Sequence, residues 1–259
     1  MMTTIPAAFL GHGNPMNALE TNRWTAAWSE FGGSLGDATA ILSISAHWYV
    51  NITAVTAMAA PRTIHDFYGF PDELFAFDYP APGDPALARR IVESLDPIHV
   101  GLDEDSWGLD HGTWSVLTHV RPKADLPVLQ LSVHAGLPLE QHLAIGRALA
   151  PLREQGVAII ASGNVVHNLG RIEWGHEGRG ADWAEDFDRT ATTLMTSDPS
   201  AIGQLLDHPA FPLAVPTPEH FLPVVYLAGL ADAAGTGTST LVEGCDLGSL
   251  SMTSYVLKG

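Results

Sequence analysis

Residues 157–167 read Val-Ala-Ile-Ile-Ala-Ser-Gly-Asn-Val-Val-His. The first five are continuously apolar, and three of them are β-branched. Gln155-Gly156 precedes them and Ser162-Gly163-Asn164 follows. A short apolar run closed by turn residues reads as a strand covered on both faces, as in the middle of a parallel sheet. His167 lies just past the end of that strand. Working outward, Ala40–Ser45 (Ala-Ile-Leu-Ser-Ile-Ser) repeats the pattern, with His47-Trp48 just beyond it. Ala7–Leu10 repeats it again and enters Gly11-His12-Gly13-Asn14-Pro15, a tight loop.

Helical patterns alternate with these strands. Trp24, Ala27, Trp28 and Phe31 have helical spacing. Pro85–Leu95 follows Asp84, a residue suited to capping a helix that begins with proline. Leu139–Glu154 and Ala181–Met195 read as helices, and Thr217-Pro218 opens another that carries His220 and runs to about Ala231. Val55–Met58, Val128–Val133, Thr240–Val242 and Ser251–Leu257 read as further strands, and 65–85 as a long loop. The expected fold is α/β: a single domain over 1–259 with a central mixed sheet flanked by helices.

Composition narrows the function. The chain has 12 Lys plus Arg against 29 Asp plus Glu, a formal net charge of −17, and no basic run, which excludes nucleic acid and anionic membranes as partners. No apolar stretch approaches the roughly 18–20 residues of a membrane helix. The first residues lack the pattern of a signal peptide, so we expect a cytoplasmic protein. Cys245 is the sole cysteine, ruling out an internal disulfide and a thiolate zinc cluster. His-Glu-x-x-His, Gly-x-Gly-x-x-Gly, a Walker A loop and Gly-x-Ser-x-Gly do not occur.

Histidine is where the composition is unusual: 12 His equal the whole Lys plus Arg complement. In open α/β sheets, ligand sites gather beyond the carboxyl ends of strands. His12, His47 and His167 share that position, and the prolines flanking His220 stiffen its turn. Each has a plainer reading: a loop histidine bonded to backbone for His12, a buried neutral ring for His47 and His167, a surface cap for His220. Four together can make one metal centre, and without thiolates imidazole ligands suit Zn(II) or Fe(II). His111 follows Asp110, a candidate carboxylate partner for acid/base work. His65-Asp66 is a weaker pair. His99, His119, His134, His142, His176 and His208 read as structural or surface residues, His134 standing apart because it closes a strand. Trp48, Trp114, Phe67 and Tyr68 are candidates to wall an aromatic pocket, against ordinary packing roles.

Eight segments then appear in order: Phe9-Leu-Gly-His-Gly-Asn-Pro-Met16, Ser45-Ala-His-Trp48, Thr63-Ile-His-Asp-Phe67, Tyr79-Pro-Ala-Pro-Gly83, Trp107-Gly-Leu-Asp-His-Gly-Thr-Trp114, Ser162-Gly-Asn-Val-Val-His-Asn-Leu169, Pro216-Thr-Pro-Glu-His-Phe-Leu-Pro223 and Gly248-Ser-Leu-Ser-Met252. Together they resemble the class III extradiol ring-cleavage dioxygenases, in the branch that acts on DOPA. The resemblance spans nearly the whole chain. It implies one divalent metal per chain, Fe(II) for activity with Zn(II) able to take its place. It implies ligands at His12, His47 and His220, with His167 a fourth ligand or an acid/base, and His111 a second catalytic residue. It implies insertion of both atoms of O2 into a catechol, giving with DOPA a 4,5-cleaved seco-DOPA semialdehyde. Trp48, His65, Asp110 and Trp114 are the expected substrate-binding residues. The partners are then a catechol and O2, in a monomer or small homo-oligomer.

Related centres use two His and one carboxylate. Here His220 occupies the expected ligand position and Glu219 is the nearest acid. Neighbours on a helix point about 100° apart, so His220 alone is expected to face the metal. A neutral ligand in place of a carboxylate leaves the site one unit more positive, which suits Zn(II) as well as Fe(II). A zinc-dependent hydrolase on the same histidines is the alternative reading, and a non-catalytic metal-binding protein a remoter one.

Overall fold

The apolar runs at 7–11, 40–50 and 157–163 lie side by side in the middle of an eight-stranded sheet. The structure, a computed structural model, describes residues 4–259. Its strands are β1 (Ala7–Gly11), β2 (Ala40–Val50), β3 (Ala54–Thr56), β4 (Gly101–Asp103), β5 (Val128–His134), β6 (Val157–Gly163), β7 (Ser239–Val242), β8 (Cys245–Asp246), β9 (Leu250–Ser251) and β10 (Ser254–Leu257). The main sheet runs in the order β4-β3-β5-β2-β6-β1-β10-β7, and β8 and β9 form a separate hairpin. The β5-β2-β6-β1 centre is parallel, whereas β3 meets β5 and β10 meets β1 and β7 antiparallel, so the sheet is mixed.

Helices cover both faces: α1 (Arg23–Gly33), α2 (Asp72–Phe75), α3 (Pro85–Ser94), α4 (His111–Val120), α5 (Leu139–Leu149), α6 (Pro151–Glu154), α7 (Asp182–Ser197), α8 (Phe211–Ala214) and α9 (Leu222–Ala233). Strand side chains alternate between the two faces. Phe9, Leu42, Ile44 and Ile159 therefore enter one core with α3, α5, α7 and α9, and Leu10, Ile41 and Ile160 enter the other with α1 and α4. Local chemistry sets the helix starts. Asn22 and Thr25 form a reciprocal cap on α1, and Asp84 caps α3 ahead of Pro85.

Several readings need correction. The strand expected over 40–45 runs on to Val50, so His47 and Trp48 lie within it and not past its end. The helix expected over 139–154 is two, because Pro151 has no N–H to continue the ladder of α5. The strand expected over 251–257 breaks at Met252-Thr253 into β9 and β10. The helix carrying His220 starts only at Leu222, with Pro223 in its first turn, so Glu219 and His220 lie in the turn before it. Finally, α4 went unanticipated: it is buried nearly all round and shows no polar face. Among the described residues, no helix is long and apolar enough to cross a membrane.

Candidate metal centre

The carboxyl ends of β1, β2 and β6 are in register, with Gly11 opposite Gly163 and Ser45 opposite Ser162. Past Ser45, β2 parts from β6 and its pairing with β5 shifts register between Ile44 and Tyr49. Irregularities of this kind re-aim side chains next to functional sites. Here His47 turns toward the end of β1. His12 follows β1 directly, its N–H donating to Gly163 O (3.1 Å), while Asn17 Nδ2 donates to His12 O (3.0 Å). His220 joins them because Asn164 N donates to His220 O (2.9 Å). A Cβ on Gly163 would collide with that same carbonyl, so only glycine lets the 220 turn sit down on the strand end.

One ligand atom from each of His12, His47 and His220 lies within 4.8 Å of the others. The hydrogen bonds behind the rings fix which nitrogens are free. Ser162 Oγ donates to Gly112 O (2.5 Å), so its lone pair accepts from His12 Nδ1–H (2.9 Å). Asp66 Oδ2 accepts from His47 Nδ1–H (3.1 Å). Glu219 Oε1 accepts from His220 Nδ1–H (3.3 Å) and from Thr217 Oγ1 (2.6 Å). The Nε2 lone pairs of His12 and His47 therefore face each other at 3.2 Å with no proton between them. Two lone pairs at that distance repel unless a cation lies against both. This donor set fits a divalent ion bound by imidazoles whose other nitrogens are held from behind.

The electrostatics agree. Burial pushes His12 well below the usual imidazole range, and the neighbouring His47, His220 and His111 push it further. Burial brings His220 down to about 4 against the opposing pull of Glu219. Burial works against ionisation of Asp66 and Glu219. Hydrogen bonds from His111 and His47 nevertheless hold Asp66 far below the carboxylate range, and those from His220 and Thr217 hold Glu219 at about 2. Burial thus disfavours the charged form of His12 and His220, while the carboxylates behind the rings stay ionised.

His167 lies flat against His220, ring centroids 3.5 Å apart and planes 4° from parallel. In-plane lone pairs on parallel rings do not converge, which sets His167 apart from the other three. Its backbone N–H donates to Ala214 O (2.9 Å), and burial followed by the nearby His220 and His47 lowers the ring pKa to about 2. His111, the first residue of α4, packs against His47 with ring centroids 3.8 Å apart and planes tilted by 52°, and gives its Nδ1–H to Asp66 Oδ1 (2.9 Å). All five histidines line one cavity of about 510 Å³, within the roughly 300–1,000 Å³ range of small-molecule sites.

The chain matches the family described as the catalytic LigB subunit of aromatic ring-opening dioxygenase over residues 20–255. The chain belongs to this family. As a LigB-type enzyme it is an extradiol aromatic ring-opening dioxygenase acting on a small aromatic molecule and O2. The 4,5-DOPA dioxygenase extradiol of Escherichia coli K12 is 46% identical to it over 256 residues, covering 97% of this chain and 94% of that one. The Beta vulgaris protein of the same name is 38% identical over 232 residues, covering 86% and 85%. A crystal structure of an uncharacterized Escherichia coli K12 protein superposes with a TM-score of 0.84 at 43% identity, covering 98% and 99%. Family membership places ring opening above the hydrolase reading of the same histidines.

In this LigB-type site, the four residues expected to bind substrate lie outside the cavity lining. Asp110 is buried behind it, capping α4 through Thr113 N and bonding Trp107 Nε1 and Gln130 Nε2. Asp66, not Asp110, is the carboxylate on His111. Trp114 is buried with its indole N–H on Ile64 O (2.8 Å), Trp48 stacks on Trp107, and His65 Nε2 donates to Phe77 O (2.9 Å). These side chains support the wall rather than form it. Phe67 and Tyr68 do line the cavity. The sequence reading missed Ser162 as the group behind His12 and Trp174 at the mouth; Ser162 carries a local signal, ending a strand beside two site histidines.

Proposed function

We propose that the protein opens the ring of a catechol of the DOPA type at a single divalent metal held by His12, His47 and His220, working with Fe(II) and able to bind Zn(II) instead. The observation that carries this is the pair of proton-free Nε2 lone pairs at 3.2 Å, with His220 beside them, at the base of the cavity. A bound divalent ion would lower the pKa of the catechol hydroxyls and, as Fe(II), would supply the redox route to O2.

The chain's own residues do the rest. His111 Nδ1–H is committed to Asp66, leaving Nε2 as the base for one hydroxyl proton. His167 is neutral and packs on His220, whereas His111 packs on His47, so His167 is the group to take or return the other. Phe67 and the loop that carries it wall the ring and limit water. The product from DOPA is a 4,5-cleaved seco-DOPA semialdehyde. The test is Fe(II) loading without oxygen, then O2 uptake with L-DOPA and metal analysis of variants. His12→Ala and His47→Ala lose the metal while staying folded. His167→Gln keeps metal yet loses most turnover, and wild-type turnover in that variant would remove His167 from the proton transfers.

A further inference from the structure

The inner end of the cavity is occupied by the histidines, so a ring whose hydroxyls face them directs its substituent outward. The outer half is built from two chain segments that meet across the mouth, 67–70 and 169–174. They contribute Phe67, Tyr68, Phe70, Leu169, Ile172 and Trp174. Tyr68 is 91% exposed and Trp174 80% exposed, the two most exposed large hydrophobic side chains among the described residues. Aromatic faces left in water at the mouth of a ligand cavity mark a contact surface.

The cavity lining carries little charge. Among the described residues no Lys or Arg lines the cavity, although Arg171 lies between Leu169 and Ile172 in sequence. Among the described residues the one carboxylate in the lining, Asp66, is turned to His47 and His111. The chain as a whole carries −17. An anionic substituent is therefore repelled on approach and finds no Lys or Arg in the lining to pair with. The Tyr68 hydroxyl and the Trp174 indole N–H offer neutral hydrogen bonds, weaker than the charge-assisted bonds a carboxylate makes with Arg or Lys. An ammonium group, by contrast, is attracted to aromatic faces.

We propose that the mouth formed by Tyr68 and Trp174 selects catechols with an uncharged or cationic ring substituent against those with a carboxylate as their only side-chain charge. This rests on the catechol reading of the site and adds the side-chain class. Dopamine and 4-ethylcatechol are preferred, and 3-(3,4-dihydroxyphenyl)propanoate, of similar size and opposite charge to dopamine, is disfavoured.

Calorimetric titration of the metal-loaded enzyme without oxygen gives the affinities, and kcat/KM in air gives the turnover. Dopamine and 4-ethylcatechol should exceed the propanoate by about tenfold or more in both. Trp174→Arg, at a residue whose side chain is in solvent, should narrow or reverse that ratio, and Tyr68→Arg provides the second variant. A propanoate affinity within about twofold of dopamine's, or an unchanged ratio in both variants, overturns the selectivity. Equal cleavage of all three compounds would do so while leaving the catechol reading standing. If none of the three binds or is cleaved, both fall.

Discussion

Asp66→Asn removes one charge and keeps the shape of the side chain, so its effect falls on the hydrogen bonds to His47 and His111. Asp66 Oδ1 accepts twice from His111, from its backbone N–H at 3.0 Å and from Nδ1–H at 2.9 Å, while Oδ2 accepts once from His47 Nδ1–H at 3.1 Å. An amide oxygen can keep the double role, so the amide NH2 falls opposite His47. The reverse orientation would set NH2 against two donors. Facing a donor, His47 relieves the clash by carrying its proton on Nε2, the nitrogen that faces His12. A metal must then bind against that tautomer. Loss of such a supporting carboxylate costs about 10–100-fold in metal affinity, or about 1.4–2.7 kcal/mol. Competition with a chelator for Zn(II) measures it, with circular dichroism and thermal unfolding as controls for the fold. A folded variant that binds Zn(II) within about twofold of wild type would refute the reasoning that Asp66 sets the His47 tautomer.

Ser162→Ala leaves His12 Nδ1–H and Gly112 O without their buried partner. We expect about 1–3 kcal/mol of lost stability and metal affinity lower by about tenfold, read by urea unfolding and chelator competition; unchanged affinity would show that Ser162 does not hold the His12 ring. His142, fully buried between α5 and α9 with Nδ1 on Tyr226 Oη and Nε2 unpartnered, is pushed down to about 4 by burial. Its folded pKa lies below the unfolded value of about 6.5, so it contributes stability above pH ~6.5 that is lost as pH falls toward 4, about 3 kcal/mol over the window. Urea unfolding of wild type and His142→Phe between pH 7.5 and 4 should show a shallower acid loss in the variant, and parallel curves would contradict it.

The central strands were legible because β1, β2 and β6 are covered on both faces and so read as apolar runs. His12 and His167 stood out for a related reason, since each falls just beyond such a run, whereas His220 was marked only by the prolines around it. What stayed hidden depends on contacts between distant segments. Asp66 reaches His111 across 45 residues, while Asp110, the neighbour in sequence, faces the other way because the first residue of a helix and its cap diverge. Pattern also misled where burial is complete: α4 has no polar face, so no helical period shows. Trp48 and Trp114 have the composition of a pocket wall but the hydrogen bonds and stacking of its support. The exposed pair at the mouth divides: Tyr68 lies in a loop rich in aromatic residues, whereas Trp174 stands among polar and glycine residues that suggest only surface.

The most direct test is anomalous diffraction from crystals grown with one equivalent of Zn(II) per chain. The account predicts one peak about 2.0–2.1 Å from Nε2 of each of His12, His47 and His220, on the cavity side of the rings and beyond bonding distance of His167. A peak bound instead by His167 and Glu219, or no peak among these histidines, would contradict it.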